Sequence, residues 1–299
     1  MRVWQGPRQG TPGSWTPCVR EARGKYVYVA TSDDTMPPDC LEKLVAALER
    51  HPDCDLAHCN LKVIDENGKE GSDWWSWGSM FTLSCGDLAG RSHIRKAPFD
   101  GLLHLLGEAV YISITQLLIR RSLFERTGFF PSQWGAVGDF NWNMRAGLVG
   151  NTVHVPDTWG GWRVHGTQAT AGASLGSPAH TEKIDSMIDD AVNGCESFLP
   201  NPLRKRLRSR WVPQMRDLRN LLRDVARCET PLERRLLVAR YLVTGPRAAA
   251  VYLKARLPGI RRWRELGPDL VRKLLARVDG ESPLMDLNPK AALRRRVTP

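Results

Sequence analysis

The sequence predicts an α/β layered domain followed by a basic helical segment. Three observations carry this reading. Short β-branched and aromatic runs alternate with amphipathic helical runs up to about residue 180, the pattern of helices packed on a sheet. Beyond 180 the strand pattern stops, and apolar residues recur at helical spacing. The charge divides near the same place: residues 1–195 hold 18 basic and 22 acidic side chains, whereas residues 196–299 hold 25 and 10. The net charge of +11 therefore belongs to the C-terminal part.

Each element has a local reason. Residues 1–24 are rich in Gly, Pro, Arg and Trp and read as a loop. Lys25–Ala30 (KYVYVA) reads as a strand, stopped by Thr31-Ser32-Asp33-Asp34. Pro37-Pro38-Asp39 opens a helix in which Leu41, Leu44, Val45 and Leu48 share one face. Asp55–Ile64 is the next strand, with a tight turn at Asn67-Gly68. Residues 72–110 mix Trp74, Trp75 and Trp77 with a Gly-rich stretch and give no clear period. Tyr111–Ile119 reads as a strand, Arg120–Arg126 as a short helix ended by Gly128, and Asp139–Ala146 as a helix. Thr152–Val155 is a short strand leading to Trp162-Arg163-Val164-His165. In the helical part, Pro and Gly are expected to interrupt near 245–246, 258–259 and 267–268.

Composition narrows the class. With 42% hydrophobic and 25% charged residues, the chain is not collagen-like, disulfide-built or wholly disordered. Seven irregularly spaced cysteines and no signal-peptide pattern lead us to expect a reducing cytoplasm. His51, Cys54, His58 and Cys59 lie close together, but zinc spacing needs a second half-site, so no zinc is expected. No apolar run reaches eighteen residues, so no membrane-spanning helix is expected.

Ser32-Asp33-Asp34 carries the most chemistry. Two carboxylates follow a hydrophobic strand, where α/β sheets bind ligands. Hard oxygen donors there suit Mg²⁺ or Mn²⁺ shared with phosphate. The same residues also read as a polar turn capping the next helix.

The order of segments resembles family 2 glycosyltransferases. Ala22-Arg23-Gly24-Lys25-Tyr26 leads a strand into Ser32-Asp33-Asp34, similar to the family's Asp-x-Asp-type motif. Arg120-Arg121-Ser122-Leu123-Phe124 with Gly128-Phe129-Phe130 resembles its R-x-x-x-F…G-x-F segment. Asp139–Arg145 (DFNWNMR) is similar to its E-D-x-x-L-x-x-R, and Trp162-Arg163-Val164-His165-Gly166 to its W-R-x-H-G.

The resemblance implies a GT-A fold, a mixed sheet flanked by helices, and an inverting, metal-dependent enzyme. It implies Asp33 as the metal carboxylate with Asp34 in support, and Asp139 as general base toward the acceptor hydroxyl. Arg163 and His165 would approach the diphosphate or the metal. The expected partners are a nucleoside-diphosphate sugar and a glycan or lipid-linked acceptor. Asp139 also reads as a carboxylate favoured by a helix N-terminus, and Arg163 and His165 as a surface pair.

Two positions depart from the family pattern. Thr31 stands where an acidic or other polar residue usually begins the metal motif, and Gly138 stands where a Glu precedes the base. The family's front strand–helix unit, which grips the nucleoside, would need about 50 more residues than the 32 before Asp33. We therefore expect an N-terminally incomplete domain, with Met1 an internal or miscalled start.

Two clusters keep alternatives open. The three Trp could stack on a sugar or pack inside. The basic part, beginning at 204–210 (RKRLRSR), interleaves Trp211, Val212, Leu218, Leu236, Leu237 and Tyr241. Basic amphipathic helices bind anionic membrane surfaces, although a solvated bundle fits too. Nucleic acid is not expected, since no recognition motif is present. The expected organisation is a catalytic domain over 1–180 and a basic helical extension over 181–299, in the cytoplasm or at the inner membrane face. The rival function is a non-catalytic, truncated relative that binds membrane or glycan.

Overall fold

Alternation along the strands builds a sheet with two different faces. Leu56, Leu117 and Ile119 enter one apolar cluster, while Ala57, Cys59 and Leu118 enter the other, because successive strand side chains point to opposite sides. Both faces must therefore be covered. The computed structural model describes residues 10–71, 80–166, 178–209, 211–244, 263–278 and 282–288, with positions 246, 249 and 253. Trp74, Trp75 and Trp77 lie outside the described residues.

Among the described residues six strands form one mixed sheet. They are β1 (Tyr26–Tyr28), β2 (Leu56–Ile64), β3 (His93–Arg95), β4 (Leu117–Arg120), β5 (Thr152–Arg163) and β6 (Leu284–Asp286). Their spatial order is β1-β4-β2-β5-β3-β6. β2 and β5 are parallel; every other neighbouring pair is antiparallel. β1, β2 and β5 thus run the same way and end on the same side.

The helices are α1 (Gly10–Glu21), α2 (Cys40–Arg50), α3 (Met80–Cys85), α4 (Phe99–Leu105), α5 (Leu123–Thr127), α6 (Gly138–Val149), α7 (Pro178–Cys195), α8 (Asn201–Arg208), α9 (Trp211–Arg227), α10 (Pro231–Thr244) and α11 (Trp263–Val278). α2 covers one face of the sheet through Leu44 and Leu48. The larger cluster on the other face takes residues from α4, α6 and α7.

The packing runs on past residue 180. Ile188, Ala191, Leu203, Leu207, Trp211, Val271 and Leu275 belong to the same buried cluster as the sheet's inner face. β6 pairs with β3 at the sheet's edge. Among the described residues no helix is long and apolar enough to cross a membrane.

Four element readings change. Residues 10–21, expected as loop, form α1 despite Pro17; Trp15 packs edge-on against Phe130 at 5.4 Å, and the Thr16 hydroxyl donates to the Phe130 carbonyl. The expected strand over 111–119 is shortened to β4. Ser113 and Gln116 form a capping box around a 3-10 turn at 114–116, which satisfies the local amides without a ladder.

β5 runs eight residues further than the four-residue strand expected. A bulge admits Pro156: Cys59 pairs with Val155 but Asn60 pairs with Trp159, and the Asn60 amide donates to the Pro156 carbonyl. A bulge is where a strand tolerates a missing N–H. Finally, α11 continues through Pro268. Its buried Val271 and Leu275 offset the ~3 kcal/mol cost of an interior proline.

The crossing of α4 and α6 yields a test. A Cβ on Gly147 would overlap the Gly101 backbone nitrogen and meet the Asp100 carbonyl carbon at 2.9 Å. Both partners are main chain, so neither can swing aside. Gly147→Ala should push α6 off α4 and lower stability by about 2 kcal/mol or more, seen as a lower urea midpoint. An unchanged midpoint would mean the crossing can open freely.

Candidate active site

The ends of three co-directional strands converge. β1 leads into Asp33-Asp34, β2 into Asp65-Glu66, and β5 into Arg163 and His165. The Asp33-Asp34 loop is tied to β5 by paired main-chain bonds: Thr35 N–H to the Gly161 carbonyl at 2.9 Å, and Gly161 N–H to the Thr35 carbonyl at 2.7 Å. A side chain at 161 would overlap the Thr35 hydroxyl, so glycine there permits the close approach.

Within this site the residues divide the work. Asp34 is held on both oxygens: Oδ1 accepts the Arg163 N–H at 2.9 Å, and Oδ2 accepts the Thr31 hydroxyl at 2.7 Å. Burial pushes its carboxyl above the usual range, against the pull of the bonds from Thr31, Arg163 and Ser113. Thr31 therefore braces Asp34.

The Arg163 guanidinium is turned onto the main chain. Nε donates to the Asp33 carbonyl at 2.8 Å, and Nη1 donates to the Asp65 and Glu66 carbonyls at 2.8 and 3.1 Å. One side chain thus ties the ends of β1, β2 and β5 together. Asp33 is the more open carboxylate, 40% exposed, with Oδ2 3.1 Å from His165 Nε2.

Asp139 opens α6 and makes no hydrogen bond to this cluster among the described residues. Its Oδ1 accepts the Phe140 N–H at 2.8 Å. Burial raises its carboxyl to about 6. α6 is joined to β5 through Gly150-Asn151 and packs on α4 and α7. One turn on, the Asn143 amide donates to the Tyr111 carbonyl at 3.4 Å, two residues before Ser113. Gly138 has a steric reason: a side chain there would overlap the Pro131 carbonyl and press on Pro12 at 3.1 Å.

Could these residues hold a divalent cation? Among the described residues no three His, Cys, Asp or Glu side chains gather as a closed cage. Asp33 and His165 do converge, and Mg²⁺ or Mn²⁺ sites with phosphate substrates characteristically use only one or two carboxylates. The donor set fits a cation shared with a diphosphate.

Sequence reasoning did not find Ser113, or a buried polar network below the site. Arg95, 1% exposed, donates from Nε to both Asp100 oxygens at 2.8 and 2.9 Å. The Tyr111 hydroxyl donates to Asp100 Oδ2 at 2.6 Å and accepts from Thr152 at 2.7 Å. Arg95 also reaches His93 Nε2 at 3.2 Å and His58 Nδ1 at 3.3 Å. Charged and imidazole residues inside apolar runs were the available signal.

The mixed sheet flanked by helices, with carboxylates, an arginine and a histidine beyond its strand ends, has the layered architecture of GT-A-like folds. Residues 2–128 match the model of glycosyl transferase family 2. The match covers 127 of the 299 residues, and over them the chain is similar to that family. The fold is similar to that of Staphylococcus aureus TarS 1-349, crystallised in complex with UDP-GlcNAc, at 14% identity and a TM-score of 0.51; the match covers 91% of this chain and 73% of that one. Another crystal structure of S. aureus TarS 1-349 aligns at 13% identity and a TM-score of 0.48, covering 91% and 72%. No curated protein matches the chain.

Proposed function

We propose that this chain is an inverting, metal-assisted hexosyltransferase. It would move a sugar from a UDP-sugar to a hydroxyl of a glycan or lipid-linked acceptor, at the cytoplasmic side of an anionic membrane. The observation that carries the proposal is the convergence of Asp33, Asp34, Arg163 and His165 at the ends of β1 and β5. The likeness to TarS, whose crystal held UDP-GlcNAc, supports uridine as the base.

Asp33 and His165 would hold Mg²⁺ or Mn²⁺. When bound, such a cation neutralises charge on the departing diphosphate. Arg163 and Asp34 fix the geometry of that pair: Arg163 locks the three strand ends, and Asp34 pins the loop through Thr31. Asp139 would accept the acceptor's proton while its oxygen attacks the anomeric carbon from the face opposite the diphosphate. Its raised carboxyl suits a base near neutral pH better than an ordinary aspartate.

Thermal unfolding with UDP, GDP and dTDP, each with and without Mn²⁺, tests the donor site. UDP with Mn²⁺ should stabilise the fold by about 2.7 kcal/mol at a hundredfold excess over its dissociation constant. Asp33→Ala should remove the Mn²⁺-dependent part. No shift with any nucleotide would favour the rival, a non-catalytic relative that binds membrane or glycan.

A further inference from the structure

We infer that the outward face of α10 docks on an anionic phospholipid surface. The inner face of this helix is already used. Leu237, Val238 and Tyr241 pack with Leu218, Leu221 and Val225 of α9, and the Tyr241 hydroxyl donates to Asp224 Oδ2 at 3.0 Å. The opposite face carries Leu232, Leu236 and Val243 at 65%, 63% and 83% exposure, with Ala239 between them, also exposed.

At 3.6 residues per turn, these four positions fall within an arc of about 60°. The exposed Arg235 lies just beyond one side of this stripe, and the exposed Arg240 just beyond the other. Glu233 is engaged at the helix start, where it accepts the Glu229 N–H at 2.9 Å and the Thr230 N–H at 3.4 Å. An apolar stripe flanked by arginines is the geometry of a helix lying in a membrane interface. The leucines enter the acyl boundary, and the arginine stems reach back to lipid phosphates.

Charge selects the occupant. Residues 196–299 carry 25 basic and 10 acidic side chains. A second copy docked face to face would bring Arg235 and Arg240 against their own images, whereas anionic headgroups neutralise them. A nucleic-acid backbone would satisfy the arginines and leave the leucine stripe in water. The inference depends on the membrane part of the proposal above. Its test uses no nucleotide, metal or acceptor, so its failure leaves the transfer chemistry untouched.

The experiment is co-sedimentation of the full chain with vesicles of phosphatidylcholine, alone or with about one-third phosphatidylglycerol. The wild type should partition onto the anionic vesicles roughly tenfold or more above the neutral ones. The Leu232→Gln/Leu236→Gln pair should lose roughly tenfold in partitioning while keeping the wild-type melting temperature. The Arg235→Gln/Arg240→Gln pair should bind less and lose much of the salt dependence. The inference fails if anionic vesicles do not bind, or if the leucine pair binds as well as the wild type. It also fails if sedimentation velocity shows a dimer that the leucine pair dissociates, or if RNA binds where vesicles do not.

Discussion

Asp139→Asn should lower sugar transfer by ~10²–10⁴-fold, the range for loss of a general base. UDP released from a UDP-sugar is the readout. The same variant should bind UDP and Mn²⁺ as the wild type does, since among the described residues Asp139 makes no hydrogen bond to the Asp33 cluster. It should melt at the same temperature or higher, because burial holds this carboxyl at about 6 and ionising it at neutral pH opposes folding. A structural role for Asp139 would give the reverse pattern, with lower stability and modest loss of rate. The pH profile adds an independent check. A base must be deprotonated, so kcat should rise with pH through about 6 and then level off. A rate that does not change between pH 5 and pH 8 would remove Asp139 from the role.

Arg95→Met should destabilise the fold by about 3–5 kcal/mol, the cost of breaking a buried ion pair by removing one partner. The variant leaves Asp100 2% exposed, with the Tyr111 hydroxyl as its remaining donor among the bonds described above. Asp33→Ala, at an open site, should leave the urea midpoint nearly unchanged, which separates the structural network from the binding site. The same network governs acid stability. Burial, with the Arg95 charge second, holds His93 at about 4, and burial also holds His104 at about 4. His58 and His154 lie further below the ordinary value, again chiefly through burial.

A histidine whose folded pKa is depressed binds fewer protons folded than unfolded. Stability is therefore intact above about pH 6.5, the unfolded value, and falls as pH drops toward 4. Unfolding monitored by circular dichroism between pH 7 and pH 4 should show this decline. Removing the Arg95 charge should make it shallower. A wild type equally stable at pH 7 and pH 4.5 would contradict the buried, neutral histidines.

Much of the α/β layer was legible because its cues are local. KYVYVA, the helix start at Pro37-Pro38-Asp39, and the strand to Ile64 all read correctly from residue type and period. Gly128, at φ 67°, ends its short helix as expected. α1, the 3-10 turn at 114–116, the length of β5 and the passage of α11 through Pro268 did not read this way. In each, a distant partner outweighs the local preference: Phe130 for α1, β2 for the far half of β5, and the shared core for α11. The Ser113 capping box is local, but it lies inside an apolar run whose composition reads as strand.

For the site the division is similar. The sequence by itself pointed to Asp33, Asp34, Asp139, Arg163 and His165, which stand in segments whose order resembles family 2 glycosyltransferases. It also determined that the basic charge is concentrated after residue 195. Only the tertiary structure decided how these groups share the work. Hydrogen bonds from groups far away in sequence hold Asp34 through the Arg163 amide, turn the Arg163 guanidinium onto the ends of β1 and β2, and leave Asp33 open beside His165. Burial, which no residue carries alone, raised Asp139 and silenced the inner histidines. The outward stripe of α10 was settled the same way, since helical spacing marks its apolar residues but only packing against α9 shows which of them are left in water.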